Sequence, residues 1–407
     1  MKKVNLLLSA LFISLASFAQ ESLWGGQDIV SPEIHPDNTV TFRFHAPKAI
    51  QVKVTGDFLP TSKIDTPFGK ADAPGEVLLK EGKNGVWEYT TPNPLPSELY
   101  NYSFIVDGLK VTDPNNVYVS RDVASVFNIF IVKGEPGDLY SVNKVPHGTV
   151  TKRWYHSKAL GYDRRLTVYT PAGYEDSNKR YPVLYLLHGM GGDEGAWTTL
   201  GRTAQIMDNL IAQGKAEPMI VVMPNGNVDQ EAAPGESSLG MYKPTMNLPR
   251  TMEGTMETTF PEIMNFIEKN YRVEKKKSSR AIAGLSMGGY HSLHISKAYP
   301  DKFDYVGLFS AAILPDKGKD AEIYKNMEEK LAKQFFMEEK LAKQFDNAPK
   351  LYWIAIGKTD FLYDANVEYR KLLDKHHYKY VYRESDGGHI WRNWRIYLSE
   401  FATMIFK

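Results

Sequence analysis

Three residues, Ser286, Asp360 and His389, have the types and the chain order that serine-based acyl transfer requires. A serine hydroxyl attacks a carbonyl when an imidazole takes its proton, and a carboxylate must hold that imidazole in orientation. Ser286 lies in Gly284-Leu285-Ser286-Met287-Gly288, between the apolar run Ala281-Ile282-Ala283 and residues of helical pattern. At ordinary Gly and Ser usage such a pentapeptide arises by chance about one time in ten in a chain of this length. The context is more specific than the motif. A strand turning sharply into a helix exposes the serine Oγ at the helix N-terminus, where developing negative charge is favoured. Leu351 to Ile356 leads into Gly357-Lys358-Thr359-Asp360, and the run ending at Glu384 leads into Ser385-Asp386-Gly387-Gly388-His389. Both candidates therefore follow the C-terminal ends of predicted strands, the edge at which such sheets carry their sites.

Acyl transfer also needs two donors for the oxyanion. The Met287 backbone N–H follows the nucleophile directly. The second donor is expected from Leu186-Leu187-His188-Gly189-Met190-Gly191-Gly192, where a buried strand ends in a glycine-rich loop. Met190 N–H is the candidate there, with His188 as an organiser of the loop. Neither phosphate-binding glycine spacing occurs. Of the other histidines, His376 and His377 end a helical stretch. His291 and His294 lie on the helix after Ser286, without a carboxylate in sequence reach to complete a metal site, and read as packing residues. Asp364 reads as a helix cap and Asp386 as a turn residue. The chemistry calls for no metal and no organic cofactor.

The elements that must position these residues form two textures meeting near Gly134-Glu135-Pro136-Gly137. Before that point short alternating segments, such as Thr39 to Phe44, Ile50 to Val54 and Tyr102 to Val106, are separated by Gly, Pro, Asn and Asp. This is the pattern of an antiparallel immunoglobulin-like β-sandwich, assigned to residues 20–142. After it, residues 143–407 begin with two antiparallel strands, Thr149 to His156 and Arg165 to Thr170. Buried parallel strands are then expected at Arg180 to Leu187, Met219 to Met223, Arg280 to Leu285, Tyr305 to Ala311 and Leu351 to Ile356, and a last strand at Tyr378 to Glu384. Helices are expected at Thr203 to Gln213, Thr259 to Asn270, Met287 to Tyr299 and Ala365 to His377. Alternation of this kind makes a doubly wound α/β domain. The nonapeptide MEEKLAKQF occurs twice, at Met327 to Phe335 and Met337 to Phe345, and reads as a local duplication lengthening a surface helix.

The N-terminus, MKKVNLLLSALFISLASFAQ, has a positive start, a short apolar run and small residues before Gln20. It reads as a signal peptide over residues 1–19, giving an exported protein, periplasmic or secreted, without a membrane anchor. The 407 residues contain no cysteine, which excludes disulfides, thiolate metal sites and a lipidated cysteine. A net charge of +1 argues against nucleic acid as a partner. The sequence carries no signal of oligomeric state.

Two resemblances attach to these residues. Ala46-Pro47-Lys48-Ala49, Val54-Thr55-Gly56-Asp57-Phe58, Gly85-Val86-Trp87-Glu88, Tyr102 to Gly108 and Asp113-Pro114 resemble the early-set, family 48 carbohydrate-binding modules. Leu59-Pro60-Thr61-Ser62 stands where that family has Asn and Trp, so a docking or lid role competes with sugar binding. From about Val150 onward, Tyr185 to Gly189, Gly284 to Gly289, Gly357 to Asp360 and Gly387-Gly388-His389 resemble the esterase D-like family of α/β-hydrolases. With an export signal and a preceding sandwich, the chain looks like carbohydrate esterase family 1. The resemblance implies Ser286, Asp360 and His389 as nucleophile, acid and base, and a feruloylated or acetylated xylan or oligosaccharide as substrate. Release of ferulic acid is the first expectation. Acetyl xylan esterase, siderophore-ester hydrolase and a non-catalytic binding protein are the alternatives. Gly189, Trp197, Phe361, Leu362 and Trp391, with Trp394, lie near the expected site loops, and aromatic walls would suit a feruloyl ring.

Overall fold

The computed structural model describes residues 29–66, 69–246, 249–313 and 337–407. The signal-peptide segment and the first copy of the nonapeptide lie outside the described residues. The second copy forms the helix Met337–Asp346, with Leu341 fully buried and Phe345 stacked on Tyr378 at 4.2 Å.

The N-terminal half is a β-sandwich. One sheet pairs Glu33–Ile34, Val40–His45, Val86–Thr90 and Lys80–Glu81. The other runs Val119–Asp122, Ser125–Val132, Glu98–Val106, Val52–Gly56 and Gly75–Leu78, with Leu109–Val111 also paired to Glu98–Val106. Period-two alternation sends Phe42, Val54, Tyr102, Phe104 and Phe130 into the space between the sheets. The residues that suggested the binding-module resemblance are structural here. Trp87 is buried with its indole N–H donated to Ala46 O at 2.9 Å, and Asp113 accepts Ser31 and Tyr102 hydroxyls at 2.6 and 2.8 Å.

The C-terminal half holds eight strands: β1 (Thr149–Ser157), β2 (Tyr162–Thr170), β3 (Val183–Leu187), β4 (Ile220–Pro224), β5 (Arg280–Leu285), β6 (Tyr305–Phe309), β7 (Leu351–Gly357) and β8 (Val381–Ser385). Their order across the sheet is β1-β2-β4-β3-β5-β6-β7-β8, with β2 antiparallel to both neighbours and β3 to β8 parallel. β5 shows how the sequence makes this layer: Ile282 enters the core on one face, Ala281, Ala283 and Leu285 that on the other. Strands covered on both faces read as continuous apolar runs, which is why they were recognisable. Helices α1 (Thr203–Ala212), α2 (Thr255–Asn270), α3 (Met287–Ala298), α4 (Met337–Asp346), α5 (Tyr363–Lys375) and α6 (Trp391–Met404) cover the two faces.

Several boundaries differ from expectation. β3 starts at Val183, because Pro182 has no N–H to donate to a ladder and Tyr181 makes an isolated bridge with Val273 instead. Tyr378 and Tyr380 pack beside the core ahead of β8 rather than joining it. Helix α2 starts four residues early, at Thr255, with Pro261 inside it. Helix α6 was not expected at all.

The sandwich is not a loose appendage. Leu99 and Tyr140 belong to the same buried cluster as Trp197, Leu285, Trp394 and Tyr397 of the α/β half. Arg395 of α6 donates to Glu98 Oε1 at 3.0 Å and Leu99 O at 2.9 Å, and Arg392 donates to Asp57 O at 3.2 Å.

Candidate active site

Register lines up the C-terminal ends of the strands. Leu187 pairs with Gly284, Leu285 with Phe309, Phe309 with Ala355, and Gly357 with Ser385. The His188 loop, the Ser286 turn and the loops bearing Asp360 and His389 therefore all leave the same edge of the sheet. The first two leave side by side. They flank the point where the strand order reverses, since β4 lies on one side of β3 and β5 on the other.

Ser286 has φ 51° and ψ −116°, outside the regions a non-glycine residue prefers. Its surroundings impose the strain: the Ser286 N–H donates to Phe309 O at 2.9 Å, and Ser286 O accepts from Ala312 N at 2.9 Å and Tyr290 N at 3.0 Å. The flanking glycines permit the close approach. A Cβ on Gly284 would lie 2.4 Å from Gly288 O, and one on Gly288 would lie 2.3 Å from Leu187 O. Met287 is the first residue of α3, so its N–H has no acceptor within the helix. Gly189 sits beside the nucleophile, where a Cβ would come 3.4 Å from Ser286 Cβ.

Asp360 and His389 form a pair. His389 Nδ1 lies 2.9 Å from Asp360 Oδ2 and 3.1 Å from Oδ1, and the Asp360 side chain is wholly buried. Asp360 Oδ1 also accepts the Leu362 N–H at 2.9 Å. Lys358 N–H to Ser385 O and Thr359 N–H to Gly387 O, at 2.9 and 3.1 Å, bind the two loops together. A carboxylate at Nδ1 puts the ring proton there and leaves Nε2 as a base.

His188 organises its loop, as expected. Nδ1–H donates to the Gly189 carbonyl at 2.8 Å and Nε2 accepts the Gly226 N–H at 2.8 Å; burial lowers its pKa, consistent with this neutral tautomer. His291 donates Nε2–H to Thr251 O at 2.8 Å, with its pKa pushed down by burial to about 3. No group of three or more metal-ligating side chains occurs among the described residues. No described helix is long and apolar enough to cross a membrane.

The competing carboxylates lie elsewhere. Asp386 is exposed and pairs with Lys358 at 3.0 Å. Asp364 is not the cap of α5: it lies in the first turn, and Asp360 receives the Leu362 N–H that precedes the helix.

Trp197 and Leu362 were expected in the pocket wall and belong to the core. Trp197 is 1% exposed, donates its indole N–H to Leu187 O at 2.9 Å, and meets Trp391 edge-on at 5.3 Å. Leu362, the residue before α5, is 6% exposed. Both are buried and offer a ligand little surface. Phe361, Trp391, Met190, Ser286 and His389 remain partly exposed, with the Phe361 ring 4.5 Å from the His389 ring. Trp394 is buried and meets His389 edge-on at 4.8 Å.

Residues 157–403 match the family model described as Putative esterase. The chain belongs to this esterase family. Its C-terminal domain has the α/β-hydrolase fold, and residues 30–120 match carbohydrate-binding module 48, described as the isoamylase N-terminal domain. Over 302 residues the esterase is 33% identical to an endo-1,4-beta-xylanase/feruloyl esterase of Xylanibacter ruminicola, an alignment covering 72% of this chain and 38% of that protein. The chain spans about two fifths of the length of that relative and of two Mycobacterium tuberculosis esterases that it matches. A solved ferulic acid esterase is 31% identical, with a TM-score of 0.52, covering 64% of this chain and 99% of its own. The enterobactin esterase of Shigella flexneri shares the fold across both halves, covering 94% of this chain and 97% of its own at a TM-score of 0.59 and 15% identity.

Proposed function

We propose that this esterase is an exported serine carboxylic-ester hydrolase that releases ferulic acid from feruloylated xylan or its oligosaccharides. The observation that carries the mechanism is the Asp360–His389 pair on the same sheet edge as a serine held at φ 51°. His389 Nε2 takes the Ser286 proton as Oγ attacks the ester carbonyl, and Asp360 stabilises the imidazolium that forms. The Met190 and Met287 amides receive the oxyanion, a contribution of about 3 kcal/mol per donor. The tetrahedral intermediate collapses, the sugar hydroxyl leaves with the proton from His389, and water, deprotonated by the same base, releases the acid from the acyl-serine.

The aromatic surroundings of the base, and two relatives named as a feruloyl esterase and a ferulic acid esterase, support a feruloyl group as the acyl part. Phe361 and Trp391 are the partly exposed rings there and would line the aryl side. Export rests on the leader Met1 to Ala19. The test compares methyl ferulate, feruloylated arabinoxylan oligosaccharide and acetylated xylan. Ser286→Ala is expected to reduce hydrolysis of the feruloyl esters by at least ~10⁴-fold. An unaffected Ser286→Ala rate refutes the mechanism. Cleavage of acetyl esters alone replaces the feruloyl assignment, and xylan binding without hydrolysis replaces the enzyme by a binding protein.

A further inference from the structure

The β-hairpin Val119–Val132 belongs to the sandwich, yet its tip reaches both loops of the candidate active site. Arg121 donates Nη1–H to Val123 O at 2.8 Å, and its Nη2 forms an ion pair with the buried Asp193, five residues past His188. Asp193 in turn accepts the Gly195 N–H at 2.9 Å, fixing the end of the oxyanion loop. Val123 has φ 49°, a conformation a β-branched residue adopts only under constraint. There its isopropyl group packs on Gly191, where a Cβ would fall 2.7 Å from Val123 Cγ2. Gly191 directly follows Met190, the expected second oxyanion donor. On the other side Asp122 accepts the Trp391 indole N–H at 3.3 Å. Trp391 meets Trp394 edge-on at 5.2 Å, and Trp394 meets His389 at 4.8 Å.

The tip thus touches the oxyanion side through Arg121 and Val123 and the base side through Asp122. The sandwich is tied down here, because Asp57 accepts from Arg392 and Glu98 and Leu99 accept from Arg395, one and four residues beyond Trp391 on α6. We propose that Arg121 and Asp122 of the sandwich are positioning residues of the esterase site, holding the Met190 loop and the Trp391–His389 segment in reactive register. The N-terminal domain is then part of the catalytic apparatus whether or not it binds sugar. Misplacement of a reacting group by an ångström costs up to about a hundredfold in rate, so partial release of one loop is expected to cost about tenfold.

This inference rests on the serine mechanism above, and the experiment separates the two. In the full chain, Arg121→Ala, Arg121→Lys, Asp122→Leu, Asp122→Asn and Ser286→Ala are assayed on methyl ferulate and on p-nitrophenyl acetate, both too small to touch a distant sugar site. Thermal unfolding is followed in parallel. Arg121→Ala and Asp122→Leu are expected to lower kcat about tenfold on both esters with KM within about twofold. Arg121→Lys and Asp122→Asn, which keep a charge for Asp193 and an acceptor for Trp391, are expected to recover most of that loss. Unchanged kcat on the small esters overturns the inference, even if a polymeric substrate suffers. So does a kcat loss that tracks Tm and is not recovered by the conservative variants. Full activity of Ser286→Ala would instead remove the underlying mechanism.

Discussion

Replacing Asp360 by Asn tests the reading of the site at its most specific point, because a hydrogen bond already present decides which way the new amide faces. Asp360 Oδ1 accepts the Leu362 N–H at 2.9 Å, and Oδ2 is the oxygen closer to His389 Nδ1. An asparagine must keep its oxygen toward Leu362 N–H, since the reverse would set two donors against each other in a buried site. Its NH₂ then faces Nδ1, which must become an acceptor, and the ring proton moves to Nε2. A protonated Nε2 cannot take a proton from Ser286. Loss of the correct tautomer with the geometry intact costs about 10⁴ in kcat in the serine-protease triad, near 5.5 kcal/mol of barrier. Asp360→Asn is accordingly expected to lower kcat on methyl ferulate by about 10³- to 10⁴-fold, with KM and the unfolding temperature little changed. A variant within tenfold of the parent enzyme would refute both the tautomer argument and the role of Asp360.

Gly288→Ala would place a methyl group 2.3 Å from Leu187 O and 2.6 Å from His188 O, both backbone atoms that cannot swing away. The oxyanion loop must separate from α3, so kcat measured on p-nitrophenyl acetate should fall at least about a hundredfold, alongside about 1–3 kcal/mol of stability lost in urea titration. Removing Arg395 leaves Glu98 buried without its strongest partner; Arg395→Met is expected to cost about 3 kcal/mol or more by the same titration. Glu257 is wholly buried, and burial raises its pKa from 4.5 to about 8 against the opposing pull of its own backbone N–H and of Lys297. Between those values the folded chain holds a proton that the unfolded chain has released, so stability falls as pH rises through the interval and levels off above it. Glu257→Gln mimics the protonated form. Its advantage in unfolding free energy should be near zero at pH 4.5 and grow to pH 8, toward at most about 5 kcal/mol at ~1.4 kcal/mol per pH unit, with Tm rising in parallel. A constant Tm difference across that range would contradict it.

The nucleophile, acid and base candidates were legible because the requirement they satisfy is local. Each follows a strand of the parallel sheet, and the sheet brings strand ends together without further instruction. The aromatic residues were not legible in the same way. Trp197 and Trp391 both lie near site loops in sequence, and only packing decides that one indole N–H is held by Leu187 O inside the core while the other ring stays partly exposed. Helix α6 does carry a sequence signal, because Trp391, Trp394, Leu398 and Phe401 recur at helical spacing. The contact between Asp122 and Trp391 had no such signal, since 269 residues separate them. Its two ends look ordinary alone, a polar residue at a hairpin tip and a tryptophan after a histidine. What joins them is the docking of two domains, which depends on Glu98 meeting Arg395 and Asp57 meeting Arg392 across the same interface. A contact of that kind has no period and no motif. It becomes visible only when both domains are in place, and for that reason the sandwich's part in the chemistry had to be read from the structure.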